Sequence, residues 1–159
     1  MINRKLEYQR KLRRKTTSED FTPPELVLEM LDKLPTECFT ENKTFCDPAA
    51  GNGNFLIEVL KKKLHHFDPL KALSSIYGIE LMPDNVEEMK LRLLELIPRT
   101  SQHEAKKILE HNIVCHDALT WDFENWKELN KVGSDMNESK VDIKVDGSEK
   151  SEKVKLCKY

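Results

Sequence analysis

Apolar residues recur along this chain in two spacings, one helical and one extended. Side chains that return every three or four positions predict five helices, at residues 22–34, 55–64, 69–74, 83–97 and 101–110. Short hydrophobic runs predict three strands, at residues 44–47, 76–80 and 113–115. Strands that alternate with helices are typical of an α/β domain with a parallel sheet.

The first of these helices begins at a recognisable capping sequence. Thr22 can cap the helix, Pro23 suits its first position, and Glu25 completes a capping box. Pro35 then ends the helix, since proline cannot continue it. We therefore expect the helix to begin at Pro23.

The length of the chain limits the size of the sheet. The chain has 159 residues, whereas a seven-stranded doubly wound domain needs about 170. Residues 131–159 are rich in Lys, Asp, Glu and Ser, and both a disordered tail and a hairpin fit that composition. The sequence predicts a basic arm at 1–18, an α/β domain at 19–130 with about three to four parallel strands, and a polar tail or hairpin at 131–159.

Charge is spread unevenly, although the formal net charge is only −2. The first 15 residues hold seven bases and one acid, and they are predicted to form a charged helix. A basic segment on an acidic body favours contact with nucleic acid, and a solvated helix surface is the alternative interpretation. The predicted nucleic-acid residues are Arg4, Lys5, Arg10, Lys11, Arg13, Arg14 and Lys15.

A Gly-x-Gly turn follows the first predicted strand and precedes a predicted helix. Gly51 and Gly53 would let a ligand approach the backbone and the start of the helix. The dinucleotide pattern needs a third glycine where Leu56 stands, and Asp47 would place a carboxylate beside a pyrophosphate. This arrangement argues against a nicotinamide-dependent oxidoreductase. It favours a ligand with positive groups near the turn, and S-adenosylmethionine is such a ligand.

Three acids stand at the ends of the three predicted strands. Because the carboxyl ends of parallel strands meet at one edge of a sheet, Asp47, Glu80 and Asp117 should line one crevice. In that order they suit the methionine, ribose and adenine parts of S-adenosylmethionine. Taken singly, Asp47 could merely cap its turn, and Glu80 and Asp117 could be solvated strand-end acids. No pair of His or Cys stands at zinc-finger spacing, so we expect no metal site.

The chain resembles adenine-specific DNA methyltransferases. Phe21-Thr22-Pro23 resembles their first motif, Asp47 to Leu56 their cofactor loop, Ile76 to Glu80 their ribose-binding strand, and Asn112 to Leu119 their adenine-contacting strand. The resemblance implies the Rossmann-like fold of S-adenosylmethionine-dependent methyltransferases. It also implies methyl transfer to the adenine amino group. The implied cofactor-binding residues are Phe21, Thr22, Pro23, Asp47, Pro48, Ala49, Gly51, Gly53, Asn54, Phe55, Glu80, Leu81, Asp117 and Ala118.

One motif of that family is missing. Its members hold the flipped-out base with an Asn/Asp-Pro-Pro-Tyr/Phe segment after the fourth strand, but this chain has no proline after Pro98. No catalytic residue is therefore assigned. We expect the S-adenosylmethionine-binding portion of a DNA adenine methyltransferase, needing a partner or a missing segment for catalysis. The alternative is a non-catalytic pseudo-methyltransferase that acts as a nucleic-acid- or protein-binding regulatory module.

Partners and location follow from the same features. We expect DNA as a partner, with a second methyltransferase subunit or a self-dimer, because a short sheet leaves an open edge. The longest apolar stretches are only a few residues, and the chain starts with charge rather than an apolar run. No membrane association is expected, and a cytoplasmic location is predicted.

Overall fold

A three-stranded parallel sheet lies at the centre of the fold. The computed structural model describes residues 4–17, 19–40 and 42–129. Its sheet has the order β1-β2-β3, with β1 at Phe45–Asp47, β2 at Ile76–Glu80 and β3 at Ile113–Cys115. The predicted strands are confirmed to within one residue, and so is their parallel arrangement.

Helices precede and connect the strands. They are α1 (Arg4–Thr17), α2 (Pro24–Leu31), α3 (Asn54–Leu64), α4 (Pro69–Ser74), α5 (Pro83–Glu95) and α6 (Gln102–Asn112). Short 3-10 turns occur at Thr36–Phe39, Arg99–Ser101 and Ala118–Thr120. The predicted helices are confirmed, with ends that differ by no more than three residues.

The core lies between the sheet and the connecting helices. Helices α3, α4, α5 and α6 all contact β2, the middle strand. Gly78 of β2 allows this close approach, since a Cβ there would come within 2.7 Å of a methyl of Leu56. The largest fully buried apolar side chains are Leu56, Leu60, Leu73, Ile76, Ile79, Met89, Leu93 and Ile113. Burial of this kind explains the helical spacing in the sequence, because each helix from α2 to α6 turns one apolar face to the core.

The start of α2 differs from the prediction. The helix begins at Pro24, and Pro23 occupies the N-cap without a side-chain cap. Pro24 disfavours the helical conformation for the residue before it, so Pro23 stays extended at φ −59° and ψ 143°. The predicted Thr22 cap is therefore wrong. The Thr22 carbonyl instead accepts a hydrogen bond of 2.8 Å from the Asn54 side-chain amide.

A small antiparallel hairpin follows β3, and the sequence pattern did not indicate it. Strands β4 (Trp121–Asp122) and β5 (Lys127–Glu128) pair across a turn in which Trp126 has a φ of +51°. The Trp126 ring lies 4.7 Å from the ring of Tyr77 on β2, and its indole N–H donates to the His111 carbonyl at 2.7 Å. The hairpin thus packs against the sheet.

Part of the sequence prediction falls beyond these elements. The predicted tail or hairpin at 131–159 lies outside the described residues. Within the described residues, β1 pairs only with β2, so its second edge has no strand partner. No helix in the described part of the chain is long and apolar enough to cross a membrane.

A buried lysine joins three segments near the starts of β1 and β2. Lys63 of α3 is 1% exposed, and its ammonium group donates to the carbonyls of Lys43 and Thr40 and to the Ser75 hydroxyl. It also lies 5.6 Å from the centre of the Phe45 ring. Burial lowers the pKa of Lys63. The three acceptors of the ammonium group are all neutral. Through them Lys63 ties the segment before β1 to the end of α4.

Replacing this lysine should separate its packing from its charge. Lys63→Ala should lower the unfolding free energy by about 2–4 kcal/mol, because it leaves a cavity and unpaired acceptors. Lys63→Met should cost less, because it keeps the buried methylenes. The pKa of Lys63 is lower in the folded chain than the usual 10.5, so its contribution to stability rises as pH climbs toward that value.

The measurement is urea unfolding between pH 7 and 10. The wild-type chain should gain stability relative to Lys63→Met as pH rises, whereas the exposed Lys61→Met control should show no such trend. A constant difference between wild type and Lys63→Met would contradict this account.

Candidate functional site

A cleft opens where β1 turns into α3. It holds about 310 Å³ of space, including its open mouth. We call it the loop cleft; its lining residues are Asp20, Phe21, Thr22, Asp47, Ala49, Ala50, Gly51, Asn52, Asn54 and Phe55. Two segments far apart in sequence, 20–22 and 47–55, therefore form one concave surface. Most of the predicted residues of these two segments line it. Pro23, Pro48 and Gly53 do not, although each is next in sequence to a lining residue.

The turn in this cleft requires both glycines. Gly51 has a φ of +53° and Gly53 a φ of +86°, a region that favours glycine. A Cβ on Gly53 would lie 2.6 Å from Met89, and one on Gly51 would lie 3.0 Å from the Phe21 ring. The amide of Gly53 donates to the Ala50 carbonyl at 2.8 Å and closes the turn. The backbone thus passes between an aromatic ring and a core methionine, where no side chain fits.

The N-terminus of α3 adds donors to the same cleft. The first bond of the helix runs from the Ile57 amide to the Gly53 carbonyl. The amides of the first turn have no carbonyl partner inside the helix, so they can bind an anionic group. Asn54 and Phe55 belong to this turn and line the cleft.

Asp47 supplies a carboxylate at the end of β1. Its Oδ1 accepts from the Ala49 amide at 3.1 Å, whereas Oδ2 accepts no hydrogen bond from the described residues. Burial raises the pKa of Asp47. A cationic group in the cleft would oppose that effect and stabilise the carboxylate.

Glu80 joins the end of β2 to the glycine turn. Its Oε2 accepts from the Gly51 amide at 2.9 Å, and its Oε1 accepts from the Met82 amide at 2.8 Å. Because each carboxylate oxygen has two lone pairs, acceptor capacity remains. Glu80 does not line the loop cleft itself but lies directly against its turn.

The end of β3 lies beside the end of β2. The His116 amide donates to the Glu80 carbonyl at 3.1 Å, which puts the next residue, Asp117, at the same sheet edge. Asp117 is exposed, and its carboxylate accepts from the Leu119 amide, so it caps the turn that follows. Leu81 is exposed and Ala118 is half-buried, and neither lines the loop cleft. The structure thus brings the three strand ends to one edge, with Asp47 alone of their acids in the cleft.

Several residues that support the turn were not predicted from the sequence. Arg92 of α5 donates to the Asn52 carbonyl at 2.7 Å and to the Asn54 side chain at 2.9 Å. The Asn52 amide group donates to Glu88, while its Oδ1 is buried without a hydrogen-bond partner in the described structure. Asn52 could have been suspected because it stands between the two glycines. Arg92 and Glu88 carry no local signal.

The predicted nucleic-acid residues fall into three groups. Arg10 and Arg13 of α1 form ion pairs with acids of the body, whereas Lys11 and Lys15 are exposed. The side chains of Arg4, Lys5 and Arg14 lie outside the part of the chain that the structure describes. DNA contact by this helix stays a prediction.

The pair between Arg13 and Glu19 shifts the pKa of both groups. The hydrogen bonds that Arg13 donates to Glu19 raise the pKa of Arg13 despite its partial burial. Burial would raise the pKa of Glu19, but hydrogen bonds from Arg13 and Asn85 outweigh it and hold that pKa low.

No cluster of three or more metal-ligating side chains occurs among the described residues.

The fold and the cleft define an α/β protein whose glycine turn and strand-end acids suit a nucleotide-like ligand. The family model of N-6 DNA methylases matches residues 6–142. The chain therefore belongs to the N-6 DNA methylase family.

A curated relative adds detail to this assignment. The chain is 40% identical over 76 residues to the type II methyltransferase M.VspI of Vibrio sp. (strain 343). The match covers 48% of this chain but 16% of the relative, so the chain corresponds to a small part of that protein. No solved structure matches the chain.

Proposed function

We propose that this chain is the S-adenosylmethionine-binding portion of a DNA adenine methyltransferase with a Rossmann-like fold. The observation that carries the proposal is the loop cleft, where a glycine turn, a helix N-terminus and the open oxygen of Asp47 converge. Membership of the N-6 DNA methylase family supports it. The relative's name, a type II methyltransferase, supports a role in restriction and modification.

The residues of the cleft fit the chemistry of this cofactor. The open oxygen of Asp47 can accept from the cofactor's ammonium group, and the first-turn amides of α3 can hold its carboxylate. Glu80 keeps acceptor capacity for the ribose hydroxyls, and Asp117 can accept from the adenine amino group. The buried Oδ1 of Asn52 is a further acceptor without a partner in the described structure. When bound, the cofactor supplies a methyl group on a sulfonium, which a nucleophilic nitrogen can take.

The target base needs residues from elsewhere. The Asn/Asp-Pro-Pro-aromatic segment that holds the flipped base in the resembled family is absent from this sequence. Within the described residues the second edge of β1, next to the loop cleft, has no strand partner. We propose that a further segment or a second subunit pairs there and supplies the base-holding motif. A self-dimer or a regulatory pseudo-methyltransferase is the competing arrangement.

Calorimetry with S-adenosylmethionine tests the binding proposal. The wild-type chain should bind it, and Asp47→Ala or Glu80→Gln should each weaken binding at least about tenfold, the effect of losing a charged hydrogen bond. Glu87→Gln and Glu95→Gln, both exposed on α5, are the matched controls and should leave the affinity unchanged. No binding by the wild type, or equal affinities for all variants, would sink the proposal.

Methyl transfer tests the division of labour. The isolated chain should incorporate no methyl groups into adenine-containing DNA above background, because its sequence lacks the Asn/Asp-Pro-Pro-aromatic segment that holds the target base in the resembled family. Radiolabelled S-adenosylmethionine and a filter assay measure this. Robust incorporation by the chain alone would show that neither a partner nor a regulatory role is needed.

DNA binding by α1 should be electrostatic. Replacing both Lys11 and Lys15 by Gln should reduce the slope of log affinity against log salt by roughly two, if each lysine meets one phosphate. The matched control is Lys106→Gln with Lys107→Gln, an exposed pair on α6. Fluorescence anisotropy with a short duplex measures the slopes, and equal slopes for the two double variants would rule α1 out as the contact.

A further inference from the structure

Helix α1 reaches the loop cleft through side chains of α5. Arg10 lies where the two helices meet, with its guanidinium 3.1 Å from the Asn85 oxygen and 2.5 Å from a Glu88 oxygen. Asp84 is within 3.7 Å of the same guanidinium. One nitrogen of Arg10, Nη2, therefore makes both close contacts, while its Nε is buried without a hydrogen-bond partner in the described structure.

One path leads from Arg10 to Glu80. Asn85 is 1% exposed, and its oxygen accepts from Arg10 while its amide group donates to Glu19 at 2.6 Å and toward Glu80 at 3.4 Å. An amide that accepts on one side and donates on the other has a fixed orientation. Arg10 holds the oxygen side of the Asn85 amide while Glu19 and Glu80 hold its nitrogen side, and the amide faces the carboxylate that binds the Gly51 amide.

Two other paths lead from Arg10 to the glycine turn. Glu88 forms an ion pair with Arg10 through one oxygen and accepts from the Asn52 amide group, at 3.1 Å, with the other. The Arg10 guanidinium also lies 5.5 Å from the centre of the Phe21 ring, which packs against Gly51. All three paths therefore end at the turn between residues 50 and 53 or at the acid that binds it.

The geometry points to Arg10 as a positioning residue for the loop cleft: it orients Asn85, Glu88 and Phe21, and through them Glu80 and the glycine turn. This inference rests on the proposed function for its ligand but not for its contacts. A planar guanidinium suits the task because its separate N–H groups reach several acceptors at fixed angles. The helix predicted to meet DNA would then also shape the cofactor site.

The first test needs no ligand. Hydrogen exchange of the Gly51 amide, followed by NMR on the full chain, reports its bond to Glu80. Arg10→Gln should speed that exchange by roughly tenfold, the loss of one charged contact. Glu7→Gln, an exposed neighbour on α1, should not change it. Unchanged exchange in Arg10→Gln would overturn the inference, whatever the cofactor does.

The second test measures S-adenosylmethionine affinity by calorimetry. Arg10→Gln should weaken binding, and its effect should shrink in a Glu80→Gln background because both changes act on one carboxylate. A merely structural role would give full and independent losses in both backgrounds, and would overturn the inference. If the wild type binds no S-adenosylmethionine, the proposed function fails, and the Gly51 exchange result still decides the role of Arg10.

A second variant keeps the test open if Arg10→Gln folds poorly. Arg10→Lys retains the charge but has no fork to reach several acceptors. If both variants fold, the Gly51 amide of Arg10→Lys should exchange at a rate between those of wild type and Arg10→Gln. If Arg10→Lys alone folds, its Gly51 amide should exchange clearly faster than in the wild type. Wild-type exchange in a folded Arg10→Lys, with Arg10→Gln unfolded, would show that charge alone suffices and would overturn the positioning role.

Discussion

The hydrogen bond between the Gly51 amide and Glu80 is the contact on which the site depends. It joins the turn after β1 to the end of β2, although the two residues are 29 positions apart. The turn strongly favours glycine at 51 and 53, because both have positive φ and Phe21 and Met89 occupy the space where a Cβ would lie. The glycine turn thus depends on three features together: the positive φ angles of Gly51 and Gly53, the packing of Phe21 and Met89 around them, and the Glu80 carboxylate that binds the Gly51 amide.

Local pattern was enough to predict most of the framework. The strand at 76–80 and the helix at 69–74 were predicted with their observed bounds, because a short apolar run and a Pro-led turn act over a few residues. The residues of the glycine turn were predicted as a site because the strand, the turn and the helix that form it are contiguous in sequence. The start of α2 was missed because two successive prolines delay the helix by one residue.

Long-range polar contacts could not be predicted. Arg10 and Arg13 belong to a run of bases that reads as a solvated or DNA-facing surface, yet their partners Asp84 and Glu88 lie more than 70 positions away. Nothing near any of these residues in sequence indicates the pairing. Asp117 shows the converse limit: its place at a strand end was clear, but only the structure reveals that its carboxylate caps its own turn.

These contacts change how the basic helix should be understood. A base that is paired with Asp84 or Glu88 adds little attraction for a phosphate, since the acid beside it cancels its field at a distance. Lys11 and Lys15 are exposed and keep their charge available. One helix therefore presents some bases outward while others pair with the acids of α5. Because the same helix carries both sets, a displacement of α1 would also bear on Glu80 and on the glycine turn of the proposed cofactor site.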